Sequence, residues 1–294
     1  MLLAAAVLAG WLLVVATQLP RLVAGAAWPG RAPALGLVLW QAMGLAAGLL
    51  TLALLSTLAL APLGHDHLDA LQHLRDAGAV TVGFGALAAG VLLRLLTVLL
   101  SSTARTLRAR HDNRVLVHLV AHHNLLLQGT SVVEHDLPVA YCLPGLRKRV
   151  VLSRGALELL SYDELRAVLA HERAHLAQRH DLVVLPFVAL DATFPAVPAV
   201  RTARTAVALL VELLADDRAA RDHDRAHLAR ALWKIGTAPA PTGALGAGGD
   251  GVLVRANRLL APPQPLSAWS RCGVVLLCAA VALSPLLGLV VPVL

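Results

Sequence analysis

Ser161-Tyr162-Asp163-Glu164 and, ten residues on, His171-Glu172-Arg173-Ala174-His175 read as one helix whose start and whose chemistry are both written in the sequence. S-x-x-E is a capping box: the serine oxygen and the glutamate satisfy each other's orphan amides at a helix N-terminus. The spacing predicts a helix from Tyr162 to about His180, with Leu165, Val168, Leu169 and Leu176 on one inward stripe. Histidines four apart sit one turn apart on one face, so both imidazoles reach one tetrahedral metal ion. H-E-x-x-H therefore points to zinc at His171 and His175. Glu172 lies beside the open position, where it can take a proton from an activated water and pass it to a leaving amine.

A third ligand is expected downstream, in Glu212-Leu213-Leu214-Ala215-Asp216. Glu212 and Asp216 are one turn apart on a second predicted helix, from about Arg201 to Arg221, and can face one place. Glu212 completes a His₂Glu set with a fourth position left for water. Asp216 is placed to accept a hydrogen bond from the second nitrogen of a ligand imidazole. The plain alternative is an acidic, solvated helix face. His223 and His227 follow closely enough to stabilise an oxyanion or touch substrate; otherwise they are surface histidines.

Ahead of the capped helix, Val139 to Leu143 and Arg149 to Leu152 are β-forming runs separated by Pro144-Gly145, which predicts a hairpin or small sheet. Such an edge either supports the helix or receives an extended peptide strand.

The chain of 294 residues is 57% hydrophobic and only 15% charged. That balance implies a membrane protein, with the lipid bilayer as partner. Residues 2–19, 34–63, 78–100 and 272–294 each approach the roughly 20 apolar residues needed to cross the hydrocarbon core. The first run could also be a signal peptide, but no basic residue precedes it, which favours a retained anchor. Arg94, near the end of the third run, is expected to snorkel. Gly44 and Gly48 offer a close seat for a neighbouring helix.

Arg21 and Arg31 mark the first loop, and Arg105, Arg108, Arg110 and Arg114 follow the third run, whereas the second loop carries Asp66, Asp69 and Asp76 against Arg75. By the positive-inside rule the metal motif is cytoplasmic and both termini are extracytoplasmic, in a multi-pass protein of a bacterial cell membrane. The expected organisation is a membrane domain over 1–100, a zinc domain over 101–235, a linker with a short helix over 236–271, and the fourth span over 272–294.

Residues 101–271 hold 21 of the 25 Lys and Arg and 15 of the 18 Asp and Glu. The basic residues are scattered and aromatics make up 3% of the chain, so no direct nucleic-acid binding is expected and apposition to anionic headgroups explains the charge. Cys142, Cys272 and Cys278 form no C-x-x-C pair, which excludes a thiolate zinc site of that kind. His65, His67 and His73 in the second loop are too loosely spaced to argue for a metal. Leu182 to Val200 is apolar but carries Asp191, Pro186, Pro195 and Pro198. A kinked helix packed in the domain or on the membrane is expected there, because a single crossing would part Glu212 from His171.

The two motifs together, with Ala140 to Gly145, Arg149 to Gly155 and Asp163-Glu164-Leu165, resemble the membrane metallopeptidase family of the beta-lactam-sensing antirepressors. That resemblance implies a gluzincin-like, α-rich zinc domain and a cytoplasmic proteolytic site that cuts a transcriptional repressor or the protein itself. The chain ends at Leu294 with the fourth run, so the extracellular penicillin-binding sensor domain is expected to be absent and antibiotic sensing is not carried over. The expectation is a mainly α, four-span protein with one Zn²⁺, acting as an endopeptidase on a protein or peptide in signalling or transcriptional derepression. The competing reading is a non-catalytic zinc-binding signalling or scaffold protein. A transporter is disfavoured because Arg94 alone is ionisable within the spans.

Overall fold

Apolar runs become helices because only a helix satisfies every backbone amide within its own segment in lipid. The computed structural model describes residues 1–64, 70, 73, 78–120, 122–123, 130–143, 149–238 and 249–286. Among the described residues four helices are long and apolar enough to cross a membrane: Leu2–Gly25, Pro33–Leu60, Ala79–Arg105 and Ala268–Leu286. The last eight residues of the expected fourth run lie outside the described residues, as do His65, His67, Asp66, Asp69, Arg75 and Asp76.

The first span joins α1 (Leu2–Leu13), a π-helical segment (Val14–Gln18) and α2 (Leu19–Gly25) without a break, and α3 (Trp28–Arg31) is a single turn. The second span is α4 (Pro33–Leu60), and α5 (Ala79–Val120) carries the third and continues well beyond it. Strands β1 (His122–His123), β2 (Thr130–Val133), β3 (Ala140–Leu143) and β4 (Arg149–Ser153) precede α6 (Arg154–Leu159) and α7 (Tyr162–Gln178). Then come α8 (His180–Thr193), α9 (Pro198–Ala219), α10 (Arg225–Thr237), α11 (Gly249–Leu260) and α12 (Ala268–Leu283).

Two compact units result. The first comprises Met1–Ser101, Pro186–Val207 and Pro265–Leu294. Within it α4 packs against α1 and α12, and Leu39, Trp40, Ala46 and Leu50 of α4 are buried. Leu2, Val82, Leu93, Leu100 and Leu276 are exposed, as side chains facing acyl tails would be. The expected close seat at Gly44 and Gly48 is not required by the packing: a methyl at Gly44 would meet Leu190 and Phe187 side chains at an ordinary 3.8 Å, and none of the described atoms would lie within 4 Å of one at Gly48.

Leu182 to Val200 is a broken helix. Pro186 is accommodated inside α8, Phe194 to Val197 form the break, and Pro198 starts α9, where its missing amide costs nothing. Asp191 pairs with Arg204. Nη2 of Arg94 donates to the Thr193 carbonyl at 3.4 Å, a backbone oxygen left over at the end of α8.

The second unit, Ser102–Leu185 and Ala208–Gln264, contains the sheet and the capped helix. Strand order is β1-β2-β4-β3; β4 pairs with β2 in parallel and with β3 antiparallel. The antiparallel β3–β4 pair is the one expected from the sequence, although Pro144 and Gly145 lie outside the described residues. Gly155 follows directly, and a Cβ there would strike the Asp136 carbonyl oxygen at 1.9 Å. Only glycine fits that crossing.

Leu165, Val168, Leu169 and Leu176 pack with Val150, Leu152 and Ala231, which seats α7 on the sheet. The capping box forms as written, with Ser161 N–H donating to Glu164 at 2.8 Å and Glu164 N–H to the Ser161 hydroxyl at 3.4 Å. Glu164 is buried yet held ionised: burial alone would raise its pKa, but Lys234 at 2.7 Å and the cap bonds bring it below the usual carboxylate range.

Candidate metal centre

One face of α7 presents His171 and His175, and α9 brings Glu212 to them. Nε2 of His175 is 3.0 Å from Nε2 of His171. The Glu212 carboxylate oxygens lie 3.4 Å from the first histidine and 3.5 Å from the second. Ligands about 2.0–2.1 Å from a tetrahedral zinc are separated by roughly 3.3 Å. The triangle these residues form is thus the size of one zinc face, with two imidazole rings and one carboxylate as its corners. The residues present fit the ion. They are also the only three such groups brought within 4.8 Å of one another among the described residues.

Asp216, fully buried one turn after Glu212, lies on the far side of His171, with Oδ1 2.9 Å from Nδ1. That approach is an ion-pair contact whose geometry falls short of a hydrogen bond, because Nδ1 has none. Asp216 is instead gripped by Arg255 of α11, whose Nε and Nη2 each reach a carboxylate oxygen at 2.8 Å. The same guanidinium contacts Glu212 at 2.8 Å and approaches His171 Nε2 at 3.4 Å. One partly buried cation therefore answers two carboxylates.

These contacts set the protonation states. Burial would lower His171, but the Asp216 and Glu212 carboxylates outweigh it and hold its pKa at about 9. Burial, reinforced by the charge on His171, drops His175 to about 4, so its ring is neutral at pH 7. Glu212 stays below the usual carboxylate value despite burial, because His171 and Arg255 favour its charge. Asp216 is likewise brought to about 2, against its own burial, by Arg255 and His171.

Glu172 is pushed up to about 7 by burial, with Glu212 adding to the rise and His171, Cys142 and Arg255 opposing it. A group near 7 suits a proton carrier at neutral pH. Its neighbour is the Cys142 thiol of β3, which hydrogen-bonds Glu172 and is itself raised to about 12, chiefly by burial and then by that carboxylate. The thiol is therefore protonated and acts as a donor.

The structure brings His171, Glu172, His175, Glu212 and Asp216 together. His223 and His227 are half-buried at the turn after α9 and the start of α10, and no side-chain bond to these five residues is found for either. Three site neighbours carry no signal in the motifs. Arg255 lies 39 residues beyond Asp216, past a Gly- and Ala-rich connector. Cys142 looks like a strand residue. His180 falls where the helix was expected to end, yet its ring meets His175 with nitrogens 2.8 Å apart.

A family model described as Peptidase family M48 matches residues 106–220, which takes in the sheet, α7 and all of α9. Among curated proteins, the Protease HtpX homolog of Thermoplasma acidophilum is 31% identical over 67 residues, 22% of this chain. The chain spans about a fifth of the length of that relative, 21%. No solved structure matches. The matching family model is thus M48, and neither comparison points to the beta-lactam-sensing antirepressors.

Proposed function

We propose that this chain is a membrane-anchored zinc endopeptidase. The observation that carries the reading is the single ligand sphere formed by His171, His175 and Glu212 with Glu172 beside it. The M48 match over the same residues supports it. Zinc held there would polarise a scissile carbonyl and lower the pKa of a water to about 7.

The chain's own residues then have separate roles. Glu172 takes the proton of the attacking water and returns it to the departing amine. The Cys142 thiol, by donating to Glu172, favours its charged, proton-accepting form. Asp216 and Arg255 fix the charge and position of His171 and Glu212. Among the described residues strand β3 ends the sheet order, pairing only with β4, and it carries Cys142 beside the base, so an extended peptide added to that edge would run past Glu172. Main-chain pairing of that kind demands little of the substrate's sequence.

Positive residues after the third span favour a cytoplasmic zinc domain with both termini outside, hence a cytoplasmic regulatory protein, a repressor included, or the chain itself as substrate. A scaffold role is the weaker alternative, since a purely structural zinc site needs no base at Glu172. The test is the purified full-length chain, zinc-loaded in detergent, incubated with an unfolded protein such as casein. Wild type yields fragments and Glu172→Gln, with equal zinc content, does not; equal cleavage by both would overturn the proposal.

A further inference from the structure

Helix α7 does not end by fraying. Arg179 takes φ 50° and ψ 44°, and it is the one non-glycine residue with positive φ among the described residues. A left-handed arginine costs roughly 1 kcal/mol or more over a helical one. Its consequence is local: in an unbroken helix, side chains five apart point about 140° away from each other. The break turns His180, the first residue of α8, back onto His175.

The two rings meet edge to face at 85°, with Nδ1 to Nδ1 at 2.8 Å. His180 is only 3% exposed, and its other nitrogen lies 2.7 Å from Gln178 Oε1. An amide oxygen only accepts, so Nε2 of His180 carries the proton. A neutral imidazole then has its lone pair on Nδ1, so the hydrogen in the His175–His180 contact belongs to His175 Nδ1. That leaves Nε2 of His175 with a free lone pair, facing His171 Nε2 and Glu212.

We propose that His180 is a positioning residue that holds the His175 ring in its Nδ1–H tautomer and in the orientation a metal at His171, His175 and Glu212 requires. The inference rests on the zinc reading above. Each metal-facing histidine then has its own supporter: a carboxylate, Asp216, beside His171, and a neutral imidazole beside His175. The strain at Arg179 is the local cost of that second support.

The test uses the full-length protein in detergent, with zinc affinity read by competition against a chelator and the thermal midpoint of the metal-free form read in parallel. His180→Leu keeps bulk without an acceptor; His180→Asn offers an oxygen near the place of Nδ1. The expected result is a roughly 10–100-fold weaker zinc affinity for His180→Leu, recovered in large part by His180→Asn. Wild-type zinc affinity in His180→Leu, or no recovery in His180→Asn, would overturn the inference. Absence of stoichiometric zinc in the wild type would instead remove the zinc reading and this inference with it. Nitrogen-15 spectra of the histidines in the metal-free wild type give a second readout that needs no variant: Nδ1–H at His175 supports the proposal, and Nε2–H contradicts it.

Discussion

Arg255 grips Asp216 at two points, Nε on one carboxylate oxygen and Nη2 on the other, both at 2.8 Å. The pair ties α11 to α9 directly behind the His171 ring. Removing the cation strands a carboxylate with no exposed surface. Arg255→Leu is therefore expected to destabilise the zinc domain by roughly 3–5 kcal/mol, the range for breaking one side of a buried pair. Adding Asp216→Asn should recover part of the loss, and denaturant titration of the single and double variants measures both.

Acid should act on the same pair with a definite sign. Asp216 falls from 3.8 to about 2 on folding, so its contribution is complete above the unfolded value and is lost as pH drops through the folded one. At 1.36 kcal/mol per unit this is about 2 kcal/mol. Metal-free protein should lose that stability between about pH 4 and pH 2, and Asp216→Asn should flatten this part of a stability–pH curve.

Zinc loading should be pH-dependent because of His171 alone. With its pKa at about 9 in the metal-free protein, the ring must shed a proton to bind a metal, whereas His175 at about 4 is already neutral. Metal and proton compete, so zinc affinity should rise about tenfold per pH unit from 7 towards 9 and level off above. Chelator competition at several pH values gives the slope; a flat profile would mean that His171 is neutral before zinc arrives.

The thiol of Cys142 lowers the pKa of Glu172 by its hydrogen bond. Cys142→Ala should move that pKa upward, and with it the acidic limb of the kcat/KM profile, while zinc content stays unchanged. A pH–rate comparison of the two proteins reads the shift directly.

Gly155 admits no side chain, since a Cβ would sit 1.9 Å from the Asp136 carbonyl oxygen. Gly155→Ala must push apart the β4–α6 corner and the chain before β3. A loss of roughly 1–3 kcal/mol is expected, visible as a lower denaturation midpoint.

What the sequence discloses about this site is what helical spacing can encode. His171 with His175, and Glu212 with Asp216, are i, i+4 pairs, and Ser161 and Glu164 of the capping box are three apart, so each is complete within about one turn. The four apolar runs are legible for the same reason: length and composition suffice. His180 is not legible, because its position depends on a left-handed arginine that no glycine or asparagine announces. Arg255 is hidden by distance along the chain, and β2 by its parallel pairing with β4, which is non-local. The partner of Arg94 is hidden in the same way, since the Thr193 carbonyl lies 99 residues away.

The central claim is that two histidines and a glutamate hold one zinc ion for a base at Glu172 to work beside. The most direct measurement pairs metal analysis with a cleavage assay on the purified full-length wild type, Glu172→Gln and Glu212→Gln. The account predicts one zinc per chain and cleavage in the wild type, one zinc without cleavage in Glu172→Gln, and loss of both in Glu212→Gln. Cleavage by Glu172→Gln at the wild-type rate, or undiminished zinc in Glu212→Gln, would contradict it.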